Sequence, residues 1–473
     1  MSPATAAVAV RPALDPRTAA YCSDGGPEVF SGIVHGAQIW TPDPLDVEAV
    51  HPEARAAFHR LLTRASSGEL PQSGRSLLLL GEGGSGKTHL MRAFRTAAHE
   101  TGAGYCGYLQ MLTRSDNYAR YVLSYLIDSL EQPYRPGDAT TGLARLARGV
   151  LDALTALPEE ERRRLSDDLL EPEQAAQLVF RFADVAVQDT RFAGVDLNLL
   201  RAVLFLIPDD GRIRPKVLSW LRCEDLAPYD RKALGDLVPR PGPEAPLRTV
   251  VELGKLMHAV HSAALVLLVD QMEGMIEQAR TDTHPGELFR TAVNALVDIA
   301  DQLPNAVVVV GCIDDYYKDG RAMLPGTRLD RLERDPEPVQ LVSKRSADEV
   351  QAIVAQRLEV LFDAKKVPTD PANPLAPFTA GHLAPVTGLR TRDVLDYFRR
   401  HRDDCIEAGG WIEPGGSALV PPPPPPPADF AQLWNDFLPT VRPTIDNESH
   451  LAELLEWSVS TLADEMPHDT VFS

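Results

Sequence analysis

The chain has 473 residues, of which 44% are hydrophobic, and carries 47 basic and 67 acidic side chains for a formal net charge of −20 at pH 7. This length is enough for about two to four domains with a sizeable core, and the negative charge opposes nonspecific attraction to nucleic acid. Binding to DNA would therefore need a local basic surface or a partner. No stretch approaches the roughly 18 apolar residues of a membrane span, and the N-terminus lacks the pattern of a signal peptide, so we expect a cytoplasmic protein without a membrane segment.

The cysteines lie far apart in the sequence. They are Cys22, Cys106, Cys223, Cys312 and Cys405, and none forms a C-x-x-C pair. This spacing excludes a disulfide framework and a zinc site. We expect five ordinary thiols.

The N-terminal part of the chain predicts an arm followed by a helix and a strand. Residues 1–38 are rich in Ala, Pro and Gly, which favours a flexible arm. A helix is predicted to begin near Pro52, and an apolar strand covers Ser76–Leu80. A second strand is predicted within residues 102–111, and a helical pattern follows it.

A glycine-rich loop comes directly after the first predicted strand. Its sequence, GEGGSGKT at Gly81–Thr88, fits the phosphate-binding pattern GxxxxGK[ST]. Glycines let backbone N–H groups approach a phosphate, Lys87 would reach the β- and γ-phosphates, and Thr88 would hold Mg²⁺. A chance match in a surface turn is the alternative, but a helix predicted over Thr88–Ala98 completes the strand, loop and helix order that the motif requires. The predicted nucleotide-binding residues here are Gly81, Glu82, Gly83, Gly84, Ser85, Gly86, Lys87, Thr88 and His89.

The middle of the chain predicts a parallel sheet interrupted by helices. Residues 135–262 carry mostly helical patterns and predict a large helical insertion. The uninterrupted apolar stretches ALVLLV at 264–269 and AVVVV at 306–310 are typical of central parallel strands that are buried on both faces. We therefore predict an α/β protein, a three-layer P-loop NTPase core over residues 39–345.

The C-terminal part predicts a lid and an appendage. Residues 346–415 read as a helical lid, and residues 416–427 form a proline-rich linker with seven consecutive prolines at its end. An acidic helical segment, residues 428–473, carries two apolar stripes around Trp434 and Trp457. These stripes either fold back onto the rest of the chain or dock a protein partner.

A second group of candidate residues follows the third strand in LVLLVDQMEGM. Hydrolysis of ATP requires a metal ligand and a residue that orients water. Asp270 would hold Mg²⁺ together with Thr88, and Glu273 would polarise the attacking water. The usual arrangement places a glutamate directly after the aspartate, where Gln271 stands here. A strand-end cap is the alternative role for Asp270, and a structural role is the alternative for Glu273.

Five motifs, taken in order, resemble those of AAA+ and STAND-type P-loop ATPases. They are GEGGSGKT, LVLLVDQMEGM, VVVVGCIDDYYK, TRLDRLERD and TGLRTRDVL, within residues 40–410. The resemblance is greatest to the branch near origin-recognition initiators, and the order Asp-Gln-x-Glu is similar to that of bacterial STAND and phage-defence (BREX-like) ATPases.

The resemblance implies further site residues. Asp314 stands where a sensor asparagine is expected, although a carboxylate there would repel a γ-phosphate unless a cation compensates. Arg328 and Arg331 stand where an arginine finger reaches a neighbouring subunit's ATP. Arg392 matches a second sensor at the start of a lid helix, with Arg390 as the second choice. The two candidate finger arginines could instead pair with the acidic residues Asp330, Glu333 and Asp335.

The resemblance implies an oligomeric ATPase that binds ATP and Mg²⁺ and acts as a motor or switch in a bacterial DNA-related system, such as phage defence or DNA modification and restriction. A STAND-type signalling ATPase would normally carry repeats or an effector domain. An initiator-like DNA loader would need a winged-helix domain, for which residues 405–421 are too few. A small-molecule kinase would leave the arginine motifs without a purpose. Basic surface could come from TRLDRLERD and FRRHRDD, although such helix faces are usually solvated.

Overall fold

A computed structural model describes six stretches of the chain. These are residues 15–32, 36–111, 115–167, 170–208, 210–276 and 286–414. The chain divides into two units, residues 1–412 and 413–473, and the first contains the elements described below. The predicted proline-rich linker and the acidic segment 428–473 lie outside the described residues, as does the beginning of the predicted arm.

A parallel sheet forms the centre of the first unit. Its strands are β1 (Arg75–Leu80), β2 (Gly104–Gln110), β3 (Ala264–Asp270), β4 (Ala306–Cys312) and β5 (Val339–Gln340). The five strands lie in the order β2-β3-β4-β1-β5, and every pairing is parallel. Because β3, β4 and β1 have neighbours on both edges, their backbone groups are paired within the sheet. The predicted α/β class with a parallel sheet is confirmed.

Helices precede and follow the strands along the chain and also lie between them. Those of the described residues are α1 (Pro16–Tyr21), α2 (Pro52–Ala65), α3 (Lys87–Glu100), α4 (Tyr118–Leu130), α5 (Gly142–Ala153), α6 (Glu159–Asp167), α7 (Pro172–Ala186), α8 (Leu197–Leu204), α9 (Arg214–Leu221), α10 (Pro228–Ala233), α11 (Ala245–His261), α12 (Glu287–Gln302), α13 (Asp314–Arg321), α14 (Gly326–Glu333), α15 (Ala347–Ala364), α16 (Ala380–Leu383) and α17 (Thr391–Glu407). None of these described helices is both long and apolar enough to cross a membrane.

Successive side chains of each strand point to opposite faces of the sheet, and this alternation divides the core into two layers. Leu77 and Leu79 of β1 pack with α2 and α3 on one face of the sheet, whereas Leu78 and Leu80 pack with α4, α11 and α12 on the other. All four leucines are buried, and burying one such side chain contributes about 1.5–3 kcal/mol. The sheet between two helical layers therefore accounts for the three-layer core.

The helices α5 to α9 pack on the second layer. They join α4 and α11 in one apolar cluster, in which Trp220 is buried and its indole N–H donates to the Val238 carbonyl at 2.9 Å. The last helix of the predicted insertion, α11, packs against β3, and Arg145 of α5 lies over the Tyr105 ring of β2 at 4.8 Å. The added helices thus enlarge the core on one face without disturbing the sheet.

A third apolar cluster joins the beginning of the described chain to its end. Residues 15–32 fall in the segment predicted to be a flexible arm, yet Tyr21 is fully buried among side chains of α15 and α17. Its hydroxyl lies 3.1 Å from the Phe398 carbonyl oxygen, and Arg357 donates to the Val29 carbonyl at 2.6 Å. Burial of a few large side chains outweighs the flexibility that the Ala, Pro and Gly content favours.

A buried histidine lies at the end of α3. The Nδ1 of His99 donates to the Tyr134 carbonyl at 2.8 Å, and the two rings stack at 4.3 Å. Its Nε2 is buried without a hydrogen-bond partner. Burial, helped by the nearby charges of Arg95 and Arg145, lowers the pKa of His99 to about 3. The histidine is therefore neutral in the folded protein, and its protonation would bury an uncompensated charge.

We expect this histidine to make the fold sensitive to acid. Its pKa rises to about 6.5 on unfolding, so the stabilisation is complete above pH 6.5 and is lost as the pH falls toward 3. His99→Asn keeps an N–H donor near the Nδ1 position but cannot be protonated there. When the pH is lowered from 7 to 5, the melting temperature of His99→Asn should fall less than that of the wild type, and the difference between the two falls should be about 2 °C or more. Exposed His59→Asn is the control, and equal losses in wild type and His99→Asn would contradict the assignment.

Candidate functional site

Polar residues converge where the parallel strands end. Gly81 follows β1, and Gln110, Asp270 and Cys312 are the last residues of β2, β3 and β4. The carboxyl ends of parallel strands lie at one edge of a sheet, and ligands of open α/β sheets bind outside that edge. The glycine loop and the candidate residues after β3 therefore meet at the same place.

The loop between β1 and α3 requires glycine at its first and last positions, Gly81 and Gly86. A Cβ on Gly81 would lie 2.7 Å from Ser85 Oγ and 2.8 Å from the Leu341 carbonyl oxygen. Gly86, which precedes the first residue of α3, has a φ of 105°, a value that side chains with a Cβ rarely allow. The loop thus leads directly into a helix N-terminus, where free N–H groups and the helix dipole favour an anion.

Lys87 is the first residue of α3 and is only 8% exposed. Its Nζ donates to the carbonyl oxygens of Gly81 at 2.9 Å and Glu82 at 3.1 Å. Burial lowers the pKa of Lys87, while the carboxylates of Glu273 and Asp270 act in the opposite direction. An ammonium that is held by backbone carbonyls can exchange these partners for phosphate oxygens, which are charged and bind it more strongly.

Asp270 is 1% exposed and is surrounded by donors. Its Oδ2 accepts a hydrogen bond of 2.6 Å from Thr88 Oγ1 and one of 3.2 Å from the Tyr108 hydroxyl. Its Oδ1 accepts from the backbone N–H of Gln271 at 3.0 Å. Burial, followed by the negative charge of Asp270, raises the pKa of Tyr108, which stays a donor. A buried carboxylate with this many donors is fixed in position.

Glu273 begins a short helical turn just beyond β3. Its Oε2 accepts a hydrogen bond from the Ile313 N–H at 3.3 Å. Burial raises the pKa of Glu273, against the opposing effects of its own backbone and of Lys87. A carboxylate whose pKa moves toward neutrality is better suited to accept a proton from water.

The contact between Thr88 and Asp270 fits Mg²⁺. A hydroxyl and a carboxylate are the hard oxygen ligands that this ion prefers, and Mg²⁺ commonly uses one or two protein ligands and completes its shell with water and phosphate. Over the described ranges no group of three or more His, Cys, Asp or Glu side chains could hold a metal alone. Thr88 and Asp270 are therefore the residues that would hold Mg²⁺ beside a bound phosphate.

His89, predicted to bind nucleotide, is held by acidic side chains that precede α2. Its Nε2 lies 2.7 Å from Asp46 Oδ1, and its Nδ1 lies 3.2 Å from Asp43 Oδ2. Burial alone would lower the pKa of His89, but the hydrogen bonds to these two carboxylates raise it. The histidine thus joins α3 to the segment before α2.

Asp314, the predicted first sensor, is the first residue of α13. Its carboxylate lies 2.6 Å from Lys318 Nζ and accepts from the Gln340 side chain at 3.3 Å. Lys318 thus offsets the negative charge of this carboxylate, which is also favoured by the helix dipole because it lies in the first turn of a helix.

Arg390 contacts the glycine loop. Its Nη2 lies 2.7 Å from Glu82 Oε2, and the Ser343 hydroxyl donates to the same oxygen at 3.0 Å. Arg392, the first choice from sequence, is exposed and packs beside Gly32. The arginine that the motif indicated and the one that contacts the loop are therefore two residues apart, with Arg390 just before the first residue of α17.

Arg328 and Arg331 lie at the opposite edge of the sheet from the glycine loop. They pair with α12, Arg328 with Asp298 at 2.7 Å and Arg331 with Asp301 at 3.4 Å. Arg331 also lines a cleft of about 150 Å³ beside Gly74, at the amino end of β1. Two of the acidic residues that the sequence offered as partners of these arginines pair with other residues. Glu333 pairs with Arg321, and Asp335 pairs with Arg75.

Sequence reasoning missed two residues that contact the outer side of the loop. His51 Nε2 lies 2.7 Å from the Ser85 carbonyl oxygen, and the buried guanidinium of Arg345 lies 3.4 Å from the same oxygen. Both are distant from the loop in sequence, and neither belongs to a motif. The positive φ of 56° at His51 is a structural feature that no sequence pattern indicates.

Comparison with known proteins identifies one family. A family model described as AAA ATPase domain matches residues 53–310, a range that begins in α2 and ends in β4. No curated protein and no solved structure gave a significant match. The match covers more than half of the chain and includes the glycine loop, Asp270 and Glu273.

We expect the Glu82–Arg390 pair to hold the lid on the loop in the nucleotide-free protein. Glu82→Gln and Arg390→Gln should each speed hydrogen exchange at the backbone N–H groups of Arg345 and Gly388 by up to about 5-fold, because exposed ion pairs contribute about 0–1 kcal/mol. The double variant should exchange no faster than either single variant. Exposed Glu69→Gln is the control, and additive effects of the two substitutions would show that the residues act independently.

Proposed function

The chain belongs to the AAA ATPase domain family, and we propose that it binds ATP with Mg²⁺ at the glycine loop and hydrolyses it to ADP and phosphate. The observation that supports this most is the 2.6 Å contact between Thr88 Oγ1 and Asp270 Oδ2, beside the buried Lys87. A threonine, a carboxylate and a lysine so placed at a helix N-terminus form a site for a metal-bound polyphosphate.

The loop residues Gly81–Thr88 bind the phosphates in this proposal. Their backbone N–H groups surround the β-phosphate, and Lys87 moves from the Gly81 and Glu82 carbonyls to the β- and γ-phosphates. Mg²⁺, held by Thr88 and Asp270, would neutralise charge that develops on the phosphate oxygens. His89 then contributes indirectly, by fixing α3 to the segment before α2.

Glu273 orients the attacking water. The Ile313 N–H donates to one carboxylate oxygen and so fixes the carboxylate that would accept a hydrogen bond from water. The raised pKa of Glu273 makes the carboxylate a better proton acceptor than an exposed glutamate. Glu273 stands two residues beyond the usual position, which Gln271 occupies here with a φ of 58°.

The lid contributes an arginine to the γ-phosphate. Arg390 lies on the loop through Glu82, so a γ-phosphate that competes with this carboxylate would draw Arg390 into the site. We assign Arg390 this sensing role in preference to Arg392. Asp314, which is paired with Lys318, would report the same event from the end of β4.

The wider role is that of a motor or switch in a bacterial DNA-related system, such as phage defence or DNA modification and restriction. The support is the order of the five motifs, which is also compatible with a STAND-type signalling ATPase or an initiator-like DNA loader.

The arginines of segment 398–404 do not favour direct DNA contact. Arg399 and Arg400 pair with Asp396, and Arg402 donates to backbone carbonyls. A protein partner, docked through residues 428–473, would then provide the contact with DNA.

Mutation of the loop lysine and of the candidate base should separate binding from hydrolysis. Lys87→Ala should abolish ATP turnover by removing phosphate binding. Glu273→Gln should keep ATP binding and slow hydrolysis by at least about 100-fold, as loss of a water-positioning base does. Steady-state phosphate release and equilibrium binding of ATP measure both effects. Exposed Glu337→Gln is the control, and wild-type hydrolysis by Glu273→Gln would refute the assignment of the base.

Self-association through Arg331 has a complementation test. Arg331→Ala removes the arginine that one subunit gives to its neighbour, and Lys87→Ala removes phosphate binding in the other subunit. Mixing the two inactive proteins should restore part of the turnover, because some interfaces then combine an intact loop with an intact arginine. The exposed α12 variant Arg290→Ala should remain active alone. A mixture as inactive as its components, with ATP-bound protein that sediments as a monomer, would exclude a finger in trans.

A further inference from the structure

Arg345 is a buried arginine in the segment between β5 and α15. It is 1% exposed, and a buried guanidinium is costly unless its N–H groups are bonded. Its Nη1 donates to Glu349 at 3.0 Å, and its Nη2 lies 3.4 Å from the Ser85 carbonyl oxygen and also contacts the Val342 carbonyl. The arginine therefore spans from the first turn of the lid to the glycine loop.

His51 approaches the same carbonyl from the N-terminus of α2. Because a carbonyl oxygen only accepts, the 2.7 Å contact requires that Nε2 of His51 carries the proton. The Arg345 Nη2 at 3.1 Å from this nitrogen is then a second donor directed at Ser85. Burial and the Arg345 charge lower the pKa of His51 to about 4, so the ring is neutral at pH 7 and adds no charge beside the guanidinium.

The direction of the Ser85 carbonyl fixes the direction of the next amide. The peptide between Ser85 and Gly86 is planar and trans, so its C=O and N–H point to opposite sides. His51 and Arg345 hold the oxygen on the outer side of the loop. The Gly86 N–H consequently points to the inner side, toward the space where Lys87 and the helix N-terminus would meet a phosphate.

We propose that His51 and Arg345 are positioning residues that hold the Ser85 carbonyl and so orient the Gly86 N–H for the β-phosphate of nucleoside di- and triphosphates. The inference rests on the proposed function, since it concerns the same loop. The lid determines where Arg345 lies, because its backbone N–H donates to Leu389 and its carbonyl accepts from Gly388, both at 2.9 Å. Movement of the lid would therefore change the orientation of the loop before any contact with the γ-phosphate.

The test compares two substitutions of His51 in the full-length chain. Glutamine carries an amide N–H at the position of Nε2, whereas asparagine tolerates the left-handed backbone but is too short to reach the carbonyl. His51→Asn should weaken binding of both ADP and ATP by about 5- to 20-fold, equivalent to about 1–2 kcal/mol. It should raise KM with kcat nearly unchanged, as loss of uniform binding does, and His51→Gln should restore most of the affinity.

Two arginine variants separate positioning from stability. Arg345→Met should weaken ADP and ATP to the same degree as His51→Asn, and the double variant should be no weaker than Arg345→Met, because both act on one carbonyl. Arg357→Met removes another buried arginine, one that bonds the Val29 carbonyl away from the loop, and should bind nucleotide normally. Circular dichroism of each nucleotide-free protein gives the folded fraction. If Arg345→Met does not fold, the affinities of the two His51 variants alone test the positioning role.

The outcomes are distinguishable from failure of the proposed function. A wild-type chain that binds neither ADP nor ATP would overturn both proposals. Wild-type binding together with unchanged affinity in His51→Asn would overturn the positioning role and leave the ATPase proposal intact. Equal weakening by Arg345→Met and Arg357→Met would also overturn it, since the effect would then come from general loss of stability.

Discussion

The hydrogen bond between Thr88 and Asp270 is the contact on which the site depends. The two residues are 182 positions apart, and they meet only because the parallel order β3-β4-β1 brings the ends of their strands to one edge. Asp270 is buried, so its carboxylate must be satisfied by donors, and Thr88, Tyr108 and the Gln271 N–H provide them. The helices α5 to α9, which lie between β2 and β3 in the chain, pack with α4 and α11 on one face of the sheet, and the carboxyl edge of the sheet therefore keeps its geometry.

The glycine loop has contacts on two sides. On the inner side Lys87 bonds two loop carbonyls. On the outer side Arg390 contacts Glu82, and Arg345, whose backbone pairs with Gly388 and Leu389, contacts Ser85. The two contacts are made to different residues of the loop. Under the proposed function, phosphate binding and the position of residues 346–407 would therefore be coupled through backbone orientation as well as through charge.

Local patterns predicted the parts of the fold that depend on neighbours in sequence. The glycine loop, the apolar strands and the carboxylates after β3 could be predicted, because each of these motifs is a short continuous stretch of sequence. Contacts between distant segments could not be predicted in this way. Tyr108 reaches Asp270 only through the register of β2 against β3, and Arg390 differs from Arg392 only in which side of a helix start faces the loop. The packing of Tyr21 in the lid likewise depends on a partner more than 300 residues away.

The length of β1 decides whether the finger candidate Arg331 can reach the glycine loop of its own chain. The glycine loop begins at the carboxyl end of this strand, whereas Arg331 lines a cleft with Gly74 at its amino end. A strand of six residues separates its ends by roughly 17 Å, which is more than an arginine side chain reaches. Arg331 therefore cannot contact a phosphate in its own loop while the sheet stays intact. If it acts in hydrolysis, it acts on the loop of a second copy, and the site within one chain is then incomplete.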